Sequence, residues 1–378
     1  MKPIDTLYRK VGDKSKSLRT SIVALVCAII VGGVIIAIAG YSPIETYLAM
    51  FKGSLGSRKG IVLSLTQATP LIFTGLSFAI AYRVKLVNLG AEGQLYMGAM
   101  AAAIVGYSLT GLPAPLHIAI TLLISALVGG LVGLFIGYLR IRFGAREVIT
   151  SIMLNEIIIL FTSFLAAGPL KGENSVTVQT ERILTTALLP VLAKQSQLTI
   201  AFILAVLIAI MLQVLLNKTV VGYEMRVTGF SRRAAETGGI KVWKIYLLTI
   251  FISGAVAGLG GASQVMGVNK RFVEGFSASY GFAGISVAAL AVYNPVAVVF
   301  SGIIFGILKA GAMTVSRTTA IPVEFVSVIQ SLVVVFMAAP NLITDNLARI
   351  GRLWKKLFSS TRKLIIPAKS GDRGGFHG

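Results

Sequence analysis

The sequence predicts an all-α integral membrane protein of about ten transmembrane segments, N-in and C-in, carrying an inverted repeat. Three observations lead there. Of 378 residues, 55% are hydrophobic and 13% charged, about half the charged share of a soluble domain. Apolar runs of about 20 residues, the length that crosses a hydrocarbon core, recur along the chain. Lys and Arg gather in alternate segments between those runs. A soluble enzyme is excluded, because a water-soluble globule could not hide that much apolar surface, and so is disorder. Cys27 is the only cysteine, so no internal disulfide framework exists, and His117 and His377 are too few for a Cys/His zinc cluster.

The runs lie at 20–40, 61–82, 88–108, 116–139, 148–167, 198–216, 245–268, 295–315 and 321–340, with a shorter one at 281–293 that reads as a half-helix or a tilted segment. The first is too long for a signal-peptide core and no A-x-A-like site follows it. The chain therefore divides into a cytoplasmic N-terminal segment, 1–19, a membrane region, 20–340, and a cytoplasmic basic tail, 341–378. With the N-terminus inside, the inner segments carry 25 Lys and Arg and the outer ones nine, which sets the orientation. The net charge of +21 is then mostly positive-inside bias, and no nucleic-acid partner is expected. The tail after Leu347 either meets anionic membrane lipid or is solvated.

Two stretches look alike. Residues 87–116 and 273–298 each have a polar, Gly-rich lead-in, a helix of small residues and a Pro turn into another span. On the charge-based topology the first lead-in faces the cytoplasm and the second faces outside. Repeats of opposite orientation mark transporters with a site near the repeat interface. Gly129, Gly133 and Gly137, then Gly254 and Gly258, then Gly302 and Gly306, stand four residues apart. That spacing lets helix backbones approach closely.

Polar residues inside the spans are the candidate site. A carboxylate at mid-bilayer costs about 3 kcal/mol on insertion scales, so it needs a reason. Glu156 lies near the centre of its span beside Asn155; Glu92 lies a turn inside another, near Asn88 and Gln94; Gln264 lies in the seventh. They either line a hydrophilic path for a small polar solute or act as hydrogen-bonding glue between helices. The outer segment Asn269–Tyr280 mixes charged and aromatic residues. It reads as an interfacial aromatic belt, or else as a docking surface or the mouth of the path.

The longest inner connection, 217–244, favours a short helix over Arg232, Arg233, Ala234, Ala235, Glu236 and Thr237, stopped by Gly238 and Gly239. A small charged helix with an Ala-Ala face suits docking into a groove of a cytoplasmic partner; the plainer reading is a solvated basic loop.

Here a resemblance enters. Gly229 to Ile240, G-F-S-R-R-A-A-E-T-G-G-I, resembles the G-x-N-x-x-A-A-x-x-x-G-I coupling segment of ABC importer permeases for sugars, nucleosides and branched-chain amino acids, departing at Ser231. Val87 to Gln94, V-N-L-G-A-E-G-Q, and Arg146 to Asn155, R-E-V-I-T-S-I-M-L-N, resemble the nucleoside branch of that family, although that branch often opens the second element with Asn where this chain has Arg146. Ribose-type permeases tend to carry Asp-Leu-Ser-x-Gly at the first. The resemblance spans roughly 20–340. It implies a multi-pass permease subunit in the prokaryotic inner membrane, with no cofactor of its own. ATP–Mg would be held by a partner cytoplasmic ATPase that grips the 232–239 segment. It further implies a second, often different, permease subunit and an extracellular substrate-binding lipoprotein. The chain itself has no G-x-x-x-x-G-K-[ST] phosphate loop. A nucleoside is the expected solute; a simple sugar, or an ion-coupled secondary carrier, are the alternatives. A membrane enzyme would need an acid pair or Ser/His site that this sequence does not offer.

Overall fold

The computed structural model describes residues 29–318 apart from 39, 174, 193–195 and 278. The expected N-terminal segment 1–19, the span 321–340 and the tail 341–378 lie outside the described residues, as does much of the run 20–40. Within them the chain is helical, with isolated β-bridges between Lys171 and Thr180, Gln179 and Val273, and Val191 and Thr199. The helices are α1 (Ile29–Ile38), α2 (Pro43–Leu55), α3 (Arg58–Tyr82), α4 (Ala91–Ser108), α5 (Ala114–Phe143), α6 (Glu147–Ala167), α7 (Ala201–Lys218), α8 (Val220–Phe230), α9 (Arg232–Thr237), α10 (Val242–Ser263), α11 (Tyr280–Leu290) and α12 (Pro295–Thr318).

Among the described residues six helices are long and apolar enough to cross a membrane: α3, α5, α6, α7, α12 and α10 with its π-helical extension Gln264–Asn269. The segment expected at 88–108 is α4, whose first turn carries Glu92 and Gln94 and is less apolar. The short run at 281–293 is the half-length helix α11. Two connections between the expected spans carry helices. Residues 41–60 hold α2, started by Ser42, whose side chain accepts from Glu45 N–H, and by Pro43 in the first turn. Residues 217–244 hold α8 in addition to the expected short helix, α9. Thr219 caps α8 by accepting from Gly222 N–H at 3.1 Å, so the chain re-enters a helix one residue after α7 ends.

Apolar periodicity decides what is central. α3 is buried without interruption from Thr66 to Ala81, surrounded by α10, α11 and α12. α5, α6 and α7 bury one stripe each and turn the rest outward. The glycine spacing acts as expected. A Cβ on Gly254 would overlap the carbonyl oxygen of Gly129, and one on Gly258 would overlap that of Ser125, so α5 and α10 touch backbone to backbone. Residues 168–192 fold over α4. Leu184 N–H donates to Gly106 C=O at 2.9 Å, and the buried His117 bonds Thr186 Oγ1 at 2.9 Å.

Candidate functional site

The two similar stretches meet at their lead-ins. Leu86 and Asn88 precede α4; Phe272 and Ser277 precede α11; all four are buried. A Cβ on Gly281 would overlap the backbone of Glu92, so the first turns of α4 and α11 abut. Glu92, 4% exposed, accepts a hydrogen bond from Gly281 N–H. A helix N-terminus carries roughly half a positive charge from its unpaired N–H groups. Glu92 sits in the first turn of one such helix and against the first turn of another, which accounts physically for an acid in this interior.

Three further groups close round it. Tyr280 donates its hydroxyl to Gln67 Oε1 on α3, and its carbonyl accepts from Thr74 Oγ1 at 3.0 Å. Lys309 Nζ on α12 stands 3.5 Å from the centre of the Tyr280 ring, a cation–π contact, and within electrostatic reach of Glu92. Acid, ammonium, phenol and amide thus converge from α3, α4, α11 and α12. Sequence reasoning found Glu92 but missed Gln67 and Lys309. A lysine within the apolar run 295–315 was the available signal, because intramembrane cations default to function.

The other expected residues divide. Asn88 Nδ2 donates to Gln94 Oε1 at 2.9 Å and to Ser253 Oγ at 2.7 Å, while its Oδ1 accepts from Gly90 N–H at 3.0 Å. Ser253 in turn donates to Ser77 C=O at 2.7 Å. This knot pins the lead-in of α4 to α3 and α10. Asn155 on α6 accepts from Gly93 N–H and donates to Leu89 C=O, both at 2.8 Å. Gln264, 5% exposed, starts the π-helical extension of α10. Glu156 turns the other way from Asn155, onto the exposed face of α6. The aromatic-belt reading of Asn269–Tyr280 is overturned. Phe272 is fully buried and packs edge-on to Tyr96, and Phe276 lies 4.8 Å from Tyr96 between ring centres, so these rings cover α4 instead of facing lipid headgroups.

Asn155→Leu leaves Gly93 N–H and Leu89 C=O without partners, at about 1–3 kcal/mol for each buried group. The expected outcome is a melting midpoint several degrees lower for the detergent-solubilised chain, with Asn155→Asp intermediate. An unchanged midpoint with reduced transport would return Asn155 to the path.

In the 217–244 connection the expected short helix is present as α9. Ser231, where the resembling segments often have Asn, caps it by accepting from Ala234 N–H at 3.3 Å. Gly239, at φ +81°, turns the chain out of it. Arg232 pairs with Glu236 at 2.9 Å on the exposed side, while Ala235 is fully buried. A cleft of about 260 Å³ opens beside α9, lined by Glu224, Gly239, Lys241, Lys244 and Ile245. Its neighbour α8 packs Met225 into a cluster with Ala81, Val84 and Leu86, and a Cβ on Gly229 would overlap the carbonyl oxygen of Arg83. α8 therefore bears directly on the turn that leads to Asn88 and Glu92, and α9 packs against α8.

Comparison with known proteins agrees with this geometry. The family described as branched-chain amino acid transport system / permease component matches residues 60–338. The chain is 33% identical to the guanosine ABC transporter permease protein NupP of Bacillus subtilis, over 90% of this chain and 97% of that protein. It is 31% identical to the nucleoside ABC transporter permease protein NupB of Lactococcus lactis, over 88% and 93%. It is 30% identical to the glucose ABC transporter permease protein TsgB13 of Haloferax volcanii, over 84% and 86%.

Proposed function

Because the chain belongs to the branched-chain amino acid transport permease family, and is thus a multi-pass ABC transporter permease, we propose that it imports a nucleoside, past Glu92, Tyr280, Gln67 and Lys309. The observation that carries this reading is the convergence of two helix N-termini on a buried acid between the repeat lead-ins. An acid accepts hydrogen bonds from ribose hydroxyls, and the amide N–H groups of Gln67, whose oxygen is taken by Tyr280, suit a base edge. Glu92 and Gln264 belong to this path. Asn88, Gln94 and Asn155 shape it from behind, their amides being engaged within the chain. A simple sugar is the second reading, favoured by the glucose permease among the relatives.

The rest of the machine follows as part of the proposal. The N- and C-termini are cytoplasmic, a partner ATPase binds ATP–Mg and docks on Arg232–Gly239, a second permease shares the path, and an extracellular lipoprotein delivers solute. Closure of the ATPase domains presses on α9 and α8, these press on the Arg83–Leu86 turn, and the α4–α11 junction opens outward. The solute binds weakly because it must leave again.

The test is uptake of radiolabelled nucleoside in native cells with and without this chain, with excess unlabelled ribose as competitor. Loss of uptake on deletion, unaffected by ribose, is the expected result. Unchanged nucleoside uptake with lost ribose uptake would move the proposal to the sugar reading. A second expectation concerns coupling. Glu236→Ala combined with Ala234→Asp breaks the Arg232 pair and puts a charge on the face of α9 that meets the ATPase. ATP hydrolysis should persist while uptake falls to background, with the chain still in the membrane; wild-type uptake in this variant would remove α9 from the coupling path.

A further inference from the structure

α3 and α11 end side by side, and both end in a left-handed turn. Leu86 N–H donates to Ala81 C=O at 3.2 Å across Lys85, which stands at φ +59°. Tyr293 N–H donates to Ala288 C=O at 2.8 Å across Val292, at φ +49°, and Tyr293 itself stands at φ +56°. Glycine usually takes the place of Val292 in such a helix end, and a β-branched residue at positive φ persists only where its surroundings hold it. Three contacts hold this one. Arg83 Nη2 donates to Tyr293 C=O at 2.7 Å. The Tyr293 ring stacks on Tyr82 with 3.8 Å between centres. Asn294 Oδ1 caps α12 by accepting from Val296 N–H at 3.0 Å. Arg83 makes no ion pair among the described residues, and its Nε is buried without a partner. Its guanidinium is committed to the C-terminus of α11, where unpaired carbonyls attract a cation.

We infer that Arg83 is the positioning residue of α11: by holding the Val292–Tyr293 turn it fixes where Tyr280 and Gly281, at the other end of that helix, stand against Glu92. The inference rests on the ABC permease reading and adds to it a second arm of the coupling route, separate from the Leu86–Asn88 lead-in. Arg83 is engaged from both sides. Its carbonyl oxygen meets Gly229 of α8, and its guanidinium meets α11. α11 meets α3 closely at Gly284, where a Cβ would overlap the backbone of Thr74. That contact is a pivot. Leu290 lies six residues beyond it, about 9 Å along the helix, and Gly281 three residues before it, about 4.5 Å. Displacing the Arg83–Leu86 turn withdraws the guanidinium, the left-handed turn relaxes, and α11 tilts on the pivot. Its first turn then shifts against Glu92. The strain at Val292 supplies the bias, because the turn keeps its shape only while Arg83 is in place.

The test uses the full transporter in proteoliposomes, with tritiated adenosine or ribose as probe, whichever the wild type takes up. Arg83→Met removes the donor, and Arg83→Lys keeps a charge and a donor. Arg142→Met removes an exposed cation at the end of α5 and controls for loss of positive charge. In Arg83→Met the maximal rate of uptake per complex should fall about tenfold or more, with KM within about twofold of wild type and co-purified ATPase unchanged. Arg83→Lys should recover most of the rate, and Arg142→Met should match wild type. A wild-type rate in Arg83→Met, a KM that shifts as far as the rate, an equal loss in Arg142→Met, or lysine no better than methionine would each overturn the proposal. A second measurement needs no variant. Hydrogen exchange at the amides of Val292 and Tyr293 in the wild-type complex should quicken about tenfold or more when ATP and vanadate trap the ATPase closed. Arg83→Met should show the quick exchange without ATP. Unchanged exchange on trapping would overturn the proposal even if every variant failed to assemble. The failures are distinguishable. Wild-type uptake that survives Arg83→Met removes this proposal alone, whereas a wild type that takes up neither probe and hydrolyses no ATP overturns the transporter reading with it.

Discussion

Glu92→Gln should lower the initial rate of uptake by about a hundredfold or more while the complex still assembles. Glutamine has the same shape, and its carbonyl oxygen still accepts from Gly281 N–H, so the α4–α11 junction keeps its geometry. What is lost is the charge that balances Lys309 and the two helix N-termini. Removing one member of a buried charge pair costs about 3–5 kcal/mol, chiefly because the other is left uncompensated. Lys309→Met should be similarly inactive for the converse reason. The double variant should recover part of the loss, with a coupling of about 0.5–3 kcal/mol, as expected for groups in one network. The measurement is uptake in proteoliposomes, normalised to co-purified ATPase. If the two single losses simply add, Glu92 and Lys309 act separately and the path does not run between them.

Gly229→Val should have the second largest effect, at a position far from any solute. In α8 a Cβ would overlap the Arg83 carbonyl oxygen, and backbone cannot yield as a flexible side chain does. The helix must lift off the Arg83–Leu86 turn. Overpacking of this kind costs about 1–3 kcal/mol in a rigid interior. Uptake should fall to background, whereas ATP hydrolysis by the bound ATPase should become insensitive to solute. Gly229→Ala should show the same sign at reduced size. A fully active valine variant would mean that force does not travel through that turn.

Much of the architecture was legible because membrane spans write themselves in apolar length, and because glycines four residues apart state that backbones touch. The Gly129–Gly254 contact and the capped helix Arg232–Thr237 are of that kind. Other features were hidden for identifiable reasons. α2 and α8 are short, and their caps, Ser42 and Thr219, look like ordinary polar loop residues until the hydrogen bonds are seen. Phe272 and Phe276 follow charged residues, so their segment reads as surface, although the 168–192 connection covers it: Phe272 C=O accepts from Thr180 N–H. Within the site, Glu92 stood out as a carboxylate in an apolar run. Gln67 and Tyr280 come from segments 213 residues apart, and no local pattern joins them. Asn155 and Glu156 are adjacent, yet the helical turn of about 100° per residue sends one into the scaffold and the other outward.

The backbone contact between α5 and α10 limits how this molecule can change shape. Helices separated by side chains slide past one another by small rotamer adjustments, the shear type of motion. Where Gly129 and Gly254 leave carbonyls and α-carbons in direct contact, no compliant layer remains to absorb a displacement. α5 and α10 must travel as a single plank. α3 and α12 meet in the same way, since a Cβ on Gly306 would overlap the carbonyl oxygen of Ser64. A disulfide or short crosslink locking α5 to α10, or α3 to α12, should therefore leave turnover intact.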